Sequence, residues 1–311
     1  MRMPTPDGKV VILGTGGTIA GTAASAADAV DYTAAQLGVE QLVAAVPPLA
    51  GVPLESEQVA QLDSKDMTHA VWQRLARRCA HHLARADVAG VVVTHGTDTL
   101  EETAYLLHRV LAPAKPLVLT AAMRPATSLQ ADGPQNLLDA VTVARSAVRG
   151  AVAVIAGHVY GAADVRKVHT WRLDAFSSGD AGPVALVEGG RVRVLREAPV
   201  TAALGVDAIA ADPSHWPRVE IVANHAGADG HVVDALLAAG IDGLVVAGTG
   251  NGTVSEPLAA ALDRARHRGV TVRQVSRCAF GPVIDAATGE VATTTPWQAR
   301  VDLLLELLAR P

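Results

Sequence analysis

The feature of this 311-residue chain that most constrains its fold is an alternation of short, β-branched apolar runs with stretches of helical period. A parallel strand can follow another only through a crossover, usually a helix, so such alternation specifies an α/β architecture with a mostly parallel sheet buried on both faces. The runs at 10–13, 90–94, 116–120 and 151–157 read as strands. Between them, Thr33 and Gln36 have the capping-box spacing ahead of an apolar stripe at 37–46. Val71, Leu75, Cys79 and Leu83 mark one amphipathic helix, and Asp132-Gly133-Pro134 opens another. The segment PVALVEGGRVRVL, 183–195, reads as a hairpin around Gly189-Gly190 and closes a larger N-terminal domain, 1–195. Residues 196–217 hold three prolines and no sustained period, which predicts a linker. A smaller C-terminal α/β domain, 218–311, follows, with strands at 219–223, 243–248 and 271–276 and helices at 232–239 and 257–268. Thr295-Pro296-Trp297-Gln298 then starts a last helix with an apolar face at Val301, Leu304, Leu305 and Leu308.

Composition removes several classes of function. The 26 Lys and Arg against 31 Asp and Glu leave a net charge of −5 with no basic block, so nucleic acid is not an expected partner. No apolar run approaches the roughly 20 residues of a membrane-spanning helix, and the N-terminal stretch lacks an apolar core with a small-residue cleavage site. The expected compartment is therefore the cytoplasm, where Cys79 and Cys278 are expected as thiols. The histidines are scattered, with the adjacent His81 and His82 facing different directions on a helix, so no metal site is predicted.

Ligands of open α/β sheets bind beyond the carboxyl ends of the strands, which directs attention to three loops. The first, GTGGTIAG at 14–21, has Ile19 where a dinucleotide fingerprint needs its third glycine, and Thr22-Ala23 where a P-loop needs Lys and a hydroxyl residue. What is left is either a tight turn or a loop whose backbone N–H groups approach a reacting carbonyl while Thr15 or Thr18 offers a hydroxyl. The second, THGTDTLEET at 94–103, gathers His95, Thr97, Asp98 and Thr99 at a strand end. Thr99 or Asp98 serves as a helix cap there, with Glu101 and Glu102 suited to the positive helix end, but one cap needs only one side chain. The third, HVYGAADVRKVHT at 158–170, carries Lys167, one of only four lysines in an arginine-rich chain. Unlike Arg, a desolvated Lys can lose its proton and serve as the base that a hydroxyl nucleophile needs.

Together, TGGTIAG at 15–21, HGTDTLEETAY at 95–105 and AMRPATSLQADGPQNL at 122–137 resemble the bacterial L-asparaginases. The likeness extends to DYT at 31–33, LDSKDM at 62–67, DVRK at 164–167, GPVALVEGGRV at 182–192 and GTGNGTV at 248–254. It implies a two-domain α/β amidohydrolase that converts asparagine to aspartate and ammonia without a cofactor, as a homodimer or homotetramer with sites shared between subunits. By the same resemblance Thr18 is the nucleophile, Tyr32 its partner on a mobile segment, and Thr97, Asp98 and Lys167 the second catalytic group. Ser64 binds the substrate α-carboxylate, Asn251 comes from a neighbouring subunit, and Ser128 with its RPATS loop supports the pocket. Whether Thr18 or Thr97 attacks first stays open.

The chain departs from the family pattern at Lys65, where Gln is common, and at Arg166, where Thr precedes the catalytic lysine. Lys65 follows Ser64, so its ammonium either attracts the substrate carboxylate or stands in solvent. A carboxylate lent by a neighbouring subunit is expected near 282–285, where the spacing does not align and Asp285 is the candidate. Two rival readings are a mixed asparaginase-glutaminase, separated by one methylene of pocket length, and a catalytically silent amino-acid sensor using the same pocket.

Overall fold

The computed structural model describes residues 8–27, 30–285 and 288–310. The chain divides into two compact units, Met1–Val206 and Asp207–Pro311. The first is built on an eight-stranded sheet in the spatial order Arg191–Val194, Ala185–Glu188, His158–Gly161, Ala151–Ile155, Leu117–Thr120, Val88–Thr94, Lys9–Gly16, Leu54–Leu62. The last five strands in that order are parallel, and the first three continue the sheet antiparallel. All seven residues of Val88–Thr94 are buried, as a central parallel strand requires. Gly90 lets a helix come close: a Cβ there would collide with the carbonyl of Ala144, at the end of the helix Gly133–Ala144. One face of the sheet buries Val10, Ile12, Val92, Val118 and Val152 under Leu137 and Val141 of that helix.

The strand Leu54–Leu62 was not legible as a strand, because LESEQVAQL puts Glu55, Glu57 and Gln58 on an edge position. The two glutamates are partly covered from the helix His69–Ala84 and its C-cap: Arg78 grips Glu57 at 2.7 and 2.8 Å, His82 reaches the same carboxylate at 2.9 Å, and Arg85 holds Glu55 at 2.8 and 2.9 Å. His82 is therefore buried where the sequence stripe puts Leu83, and Trp72, Leu75, Ala76 and Cys79 complete that face. Thr33 and Gln36 do not cap a helix either. Thr33 pairs with Thr22 in a short antiparallel ladder, and the helix starts later, at Val39–Ala44, where Gln41 Oε1 accepts the Gly38 N–H at 2.8 Å. The Gly189-Gly190 hairpin forms as the sequence indicates, with φ of 57° and 70° at the two glycines, the conformation a tight hairpin turn demands.

In the second unit the strands Val219–Ala223, Gly243–Gly248 and Thr271–Ser276 form a parallel sheet. Helices His231–Ala238 and Glu256–His267 enclose a core of Val233, Leu244, Val246, Leu258 and Leu262. The helix Pro296–Leu308 opens with a complete capping box, Thr295 Oγ1 accepting from Gln298 N at 3.1 Å and Gln298 Oε1 accepting from Thr295 N at 3.0 Å. Among the described residues no helix is long and apolar enough to cross a membrane. Cys79 is a buried thiol and Cys278 an exposed one.

Candidate active site

Three neighbouring strands of the large sheet, Leu54–Leu62, Lys9–Gly16 and Val88–Thr94, end side by side, and their following loops carry Ser64, Thr18 and Thr97-Asp98 respectively. Main-chain contact holds these loops together. Gly17 has φ 82°, donates its N–H to the Leu62 carbonyl at 2.9 Å, and packs so tightly on Gly96 that a Cβ would strike the Gly96 backbone. Gly96 in turn leaves no room for a Cβ against Ser64 Oγ. Any side chain at these two glycines would push the three loops apart. Side chains add Thr15 Oγ1 donating to the Thr94 carbonyl at 2.9 Å and Thr99 Oγ1 donating to the Ser64 carbonyl at 2.8 Å. Thr99 thus ties loops together and makes no side-chain cap to its helix.

Thr18 lies buried in the short 3-10 turn Thr18–Ala20, its Oγ1 2.7 Å from Tyr32 Oη. Tyr32 arrives on the ladder that pairs Ala23 with Tyr32, and the RPATS loop braces that ladder: Ala126 N donates to the Gly21 carbonyl at 2.9 Å, and Thr127 Oγ1 accepts from Ala23 N at 2.8 Å. Ser128 turns its hydroxyl to Gln130 N within the same loop. The loop is fixed at its base by Asp132, whose carboxylate accepts the N–H groups of Met123 and Arg124.

Beyond Gly96, Lys167 Nζ donates to Thr97 Oγ1 at 3.0 Å and to Asp98 Oδ1 at 2.6 Å, a short, charge-assisted contact. The Asp98 N–H donates to Ser64 Oγ at 3.2 Å, which links this group to the proposed carboxylate-binding serine. His95 is wholly buried and its Nδ1 lies 2.7 Å from the Gly96 carbonyl. Burial pushes its pKa down to about 4, so at neutral pH the ring is uncharged and its Nδ1–H pins the turn rather than exchanging protons.

The structure therefore brings together Thr18 with Tyr32, and Ser64 with Thr97, Asp98 and Lys167, on adjoining loops. It does not bring in Lys65, whose exposed ammonium contacts Asp66 and lies 3.7 Å from Asp63. Asn251 belongs to the second unit, in the turn after Gly243–Gly248, where its amide is doubly bonded to Ile284: Nδ2 donates to the carbonyl and Oδ1 accepts from the N–H, both at 2.8 Å. Asp285 Oδ1 accepts from Thr288 N at 2.8 Å. Among the described residues no group of three His, Cys, Asp or Glu side chains is arranged to hold a metal ion.

Sequence reasoning missed Glu101, which it assigned to the helix dipole. The side chain is buried, and its Oε2 accepts the backbone N–H of Lys167 at 2.7 Å. Its sequence position gave no signal, because acids are usual in a first helical turn. Within the RPATS loop, Arg124 stacks its guanidinium 4.1 Å from the Trp171 ring and donates to the Trp171 carbonyl at 2.8 Å, anchoring the loop after Lys167, a contact the sequence did not indicate.

Comparison with known proteins identifies the family. Residues 9–200 match the family model described as asparaginase, N-terminal, and residues 218–306 that of the glutaminase/asparaginase C-terminal domain. The chain is 39% identical to L-asparaginase 2 of Escherichia coli over 310 residues, covering 96% of this chain and 88% of the relative. It is 38% identical to the glutaminase-asparaginase of Pseudomonas fluorescens over 276 residues, 88% of this chain and 76% of that one. A crystal structure of a probable cytoplasmic L-asparaginase from Campylobacter jejuni superimposes with a TM-score of 0.87 at 34% identity, covering 97% and 96% of the two chains. With both family models matched in order and relatives aligned along nearly its whole length, the chain belongs to the asparaginase family.

Proposed function

We propose that the chain is an L-asparagine amidohydrolase in which Thr18 is the nucleophile. The observation that carries this reading is the pair of hydroxyls served by separate proton partners on adjoining strand ends: Thr18 with Tyr32, and Thr97 with Lys167 and Asp98. Thr18 Oγ1 attacks the side-chain amide carbon while Tyr32 shares its proton, and main-chain N–H groups of the glycine turn stabilise the oxyanion. Ammonia leaves with a proton relayed through the site, and an ester of aspartate remains on Thr18. Thr97, held by Lys167, positions the water that breaks this ester and regenerates the hydroxyl. Ser64 and Asp98 hold the α-carboxylate and α-ammonium ends of the substrate.

Glutamine is the second substrate to consider, because a relative 38% identical is named a glutaminase-asparaginase. We place the enzyme in the cytoplasm, on its similarity to the Campylobacter jejuni protein. We also propose a homodimer or homotetramer in which Asn251 serves a neighbouring subunit's site. Its amide is fixed by Ile284, as a donated binding group must be, and this arrangement uses one of its two N–H donors and one of its two lone pairs.

Ammonia release from the purified protein tests the reading. Asparagine is expected to be turned over, and Thr18→Ala to fold normally yet lose at least 10³-fold in kcat, the scale on which removing a covalent nucleophile acts. Ammonia from glutamine at a comparable kcat/KM would establish the mixed activity. No ammonia from either amide would leave the sensor reading.

A further inference from the structure

We propose that Glu101 is a positioning residue for this reaction: its buried carboxylate holds the main chain of Lys167 and thereby sets where the lysine amine meets Thr97 and Asp98. The inference rests on the amidohydrolase reading. Lys167 sits in the two-residue strand Arg166–Lys167, paired among the described residues with Phe176–Ser177 alone. So short a ladder contributes little rigidity, yet the Lys167 amine must hold two contacts at 3.0 and 2.6 Å. The Lys167 N–H is donated to Glu101 Oε2 at 2.7 Å, from the first turn of the helix Leu100–Leu111. That helix begins directly after Thr97-Asp98-Thr99, so one rigid element fixes both the acceptors of the amine and the backbone that carries it.

A carboxylate in a first helical turn meets the helix dipole perfectly well from solvent, so the dipole does not explain its burial. Glu101 is only 5% exposed. Burial, more than any neighbour, pushes its pKa up to about 7, and Glu102 acts in the same direction. The Lys167 N–H bond and the charges of Arg166 and Lys167 act against it. A group in this state changes charge near neutrality, and its protonated form is the weaker acceptor for the Lys167 N–H. The Arg166 guanidinium, standing where the family has a threonine, lies on the same short strand and favours the ionised form.

The test is kcat and KM for asparagine as a function of pH, for wild type, Glu101→Gln and Arg166→Thr. Gln keeps the size and an acceptor oxygen but not the charge, and thermal melting verifies that each variant is folded. The wild type is expected to lose kcat below about pH 7. Glu101→Gln is expected to lack this limb, with kcat about tenfold lower at pH 8 and KM within about twofold of wild type, as when an interaction acts on the transition state alone. Arg166→Thr is expected to move the limb to higher pH, because removing the cation favours the protonated acid. A folded Glu101→Gln enzyme with the wild-type kcat and limb would overturn the proposal, as would an equal rise in KM. If the wild type itself releases no ammonia, the amidohydrolase reading fails and the positioning role fails with it.

Discussion

Lys65 and Lys167 are two of four lysines, and their surroundings separate their roles. Lys167 is one-fifth exposed and bound to the Thr97 hydroxyl and the Asp98 carboxylate. Lys65 is 61% exposed, and Asp66 and Asp63 already balance its charge and raise its pKa, the Asp66 hydrogen bond foremost. A screened, neutralised ammonium adds little to a substrate carboxylate even when close by in sequence. Lys65→Gln is accordingly expected to leave KM for asparagine and inhibition by aspartate within about twofold, with unchanged salt dependence, in steady-state assays at low and high ionic strength. Strand-end polarity singled out the loops that carry Thr18, Thr97, Asp98 and Lys167, but the choice of Thr18 over Thr15 came from the asparaginase-like motifs. Glu101 was not legible, because its sequence position fits the ordinary preference of acids for helix starts, and only the burial reveals the difference.

At the scale of elements, the helix Leu100–Leu111 begins with a carboxylate that folding withdraws from water. Its pKa rises from 4.5 to about 7, so between those values the folded state holds a proton that the unfolded chain has lost. This contribution is fully present below pH about 4.5 and disappears as pH rises through about 7, a change on the order of 3 kcal/mol. The buried His95 acts with the opposite sign, since its pKa falls from 6.5 to about 4 and its contribution is lost on acidification. Only the difference between variants isolates Glu101. Thermal unfolding of Glu101→Gln relative to wild type is expected to gain several degrees between pH 5 and 8, and a constant offset would contradict it. Elements with strong local chemistry were readable in advance, such as the Thr295 capping box and the Gly189-Gly190 hairpin. The polar edge strand Leu54–Leu62 was not, because its acids are paired by Arg78, Arg85 and His82, residues distant in sequence.

For the molecule as a whole, the function rests on an arrangement no single motif contains. Five parallel strands put their carboxyl ends on one edge, and three of those ends converge because Gly17 and Gly96 allow their loops to touch. The sequence displayed the alternation and hence the parallel sheet, whereas the three antiparallel strands that extend it were legible only as one hairpin. Membership of the asparaginase family fits this frame, and the central claim is that Thr18 carries the covalent step. The most direct measurement is rapid mixing with asparagine, acid quenching within the first turnovers, and mass spectrometry of the digested protein beside the ammonia time course. An aspartyl ester on the peptide containing Thr18 is the predicted result, accompanied by a burst of ammonia near one equivalent per site when hydrolysis of the ester is the slower step. An ester on Thr97 and none on Thr18 would contradict it.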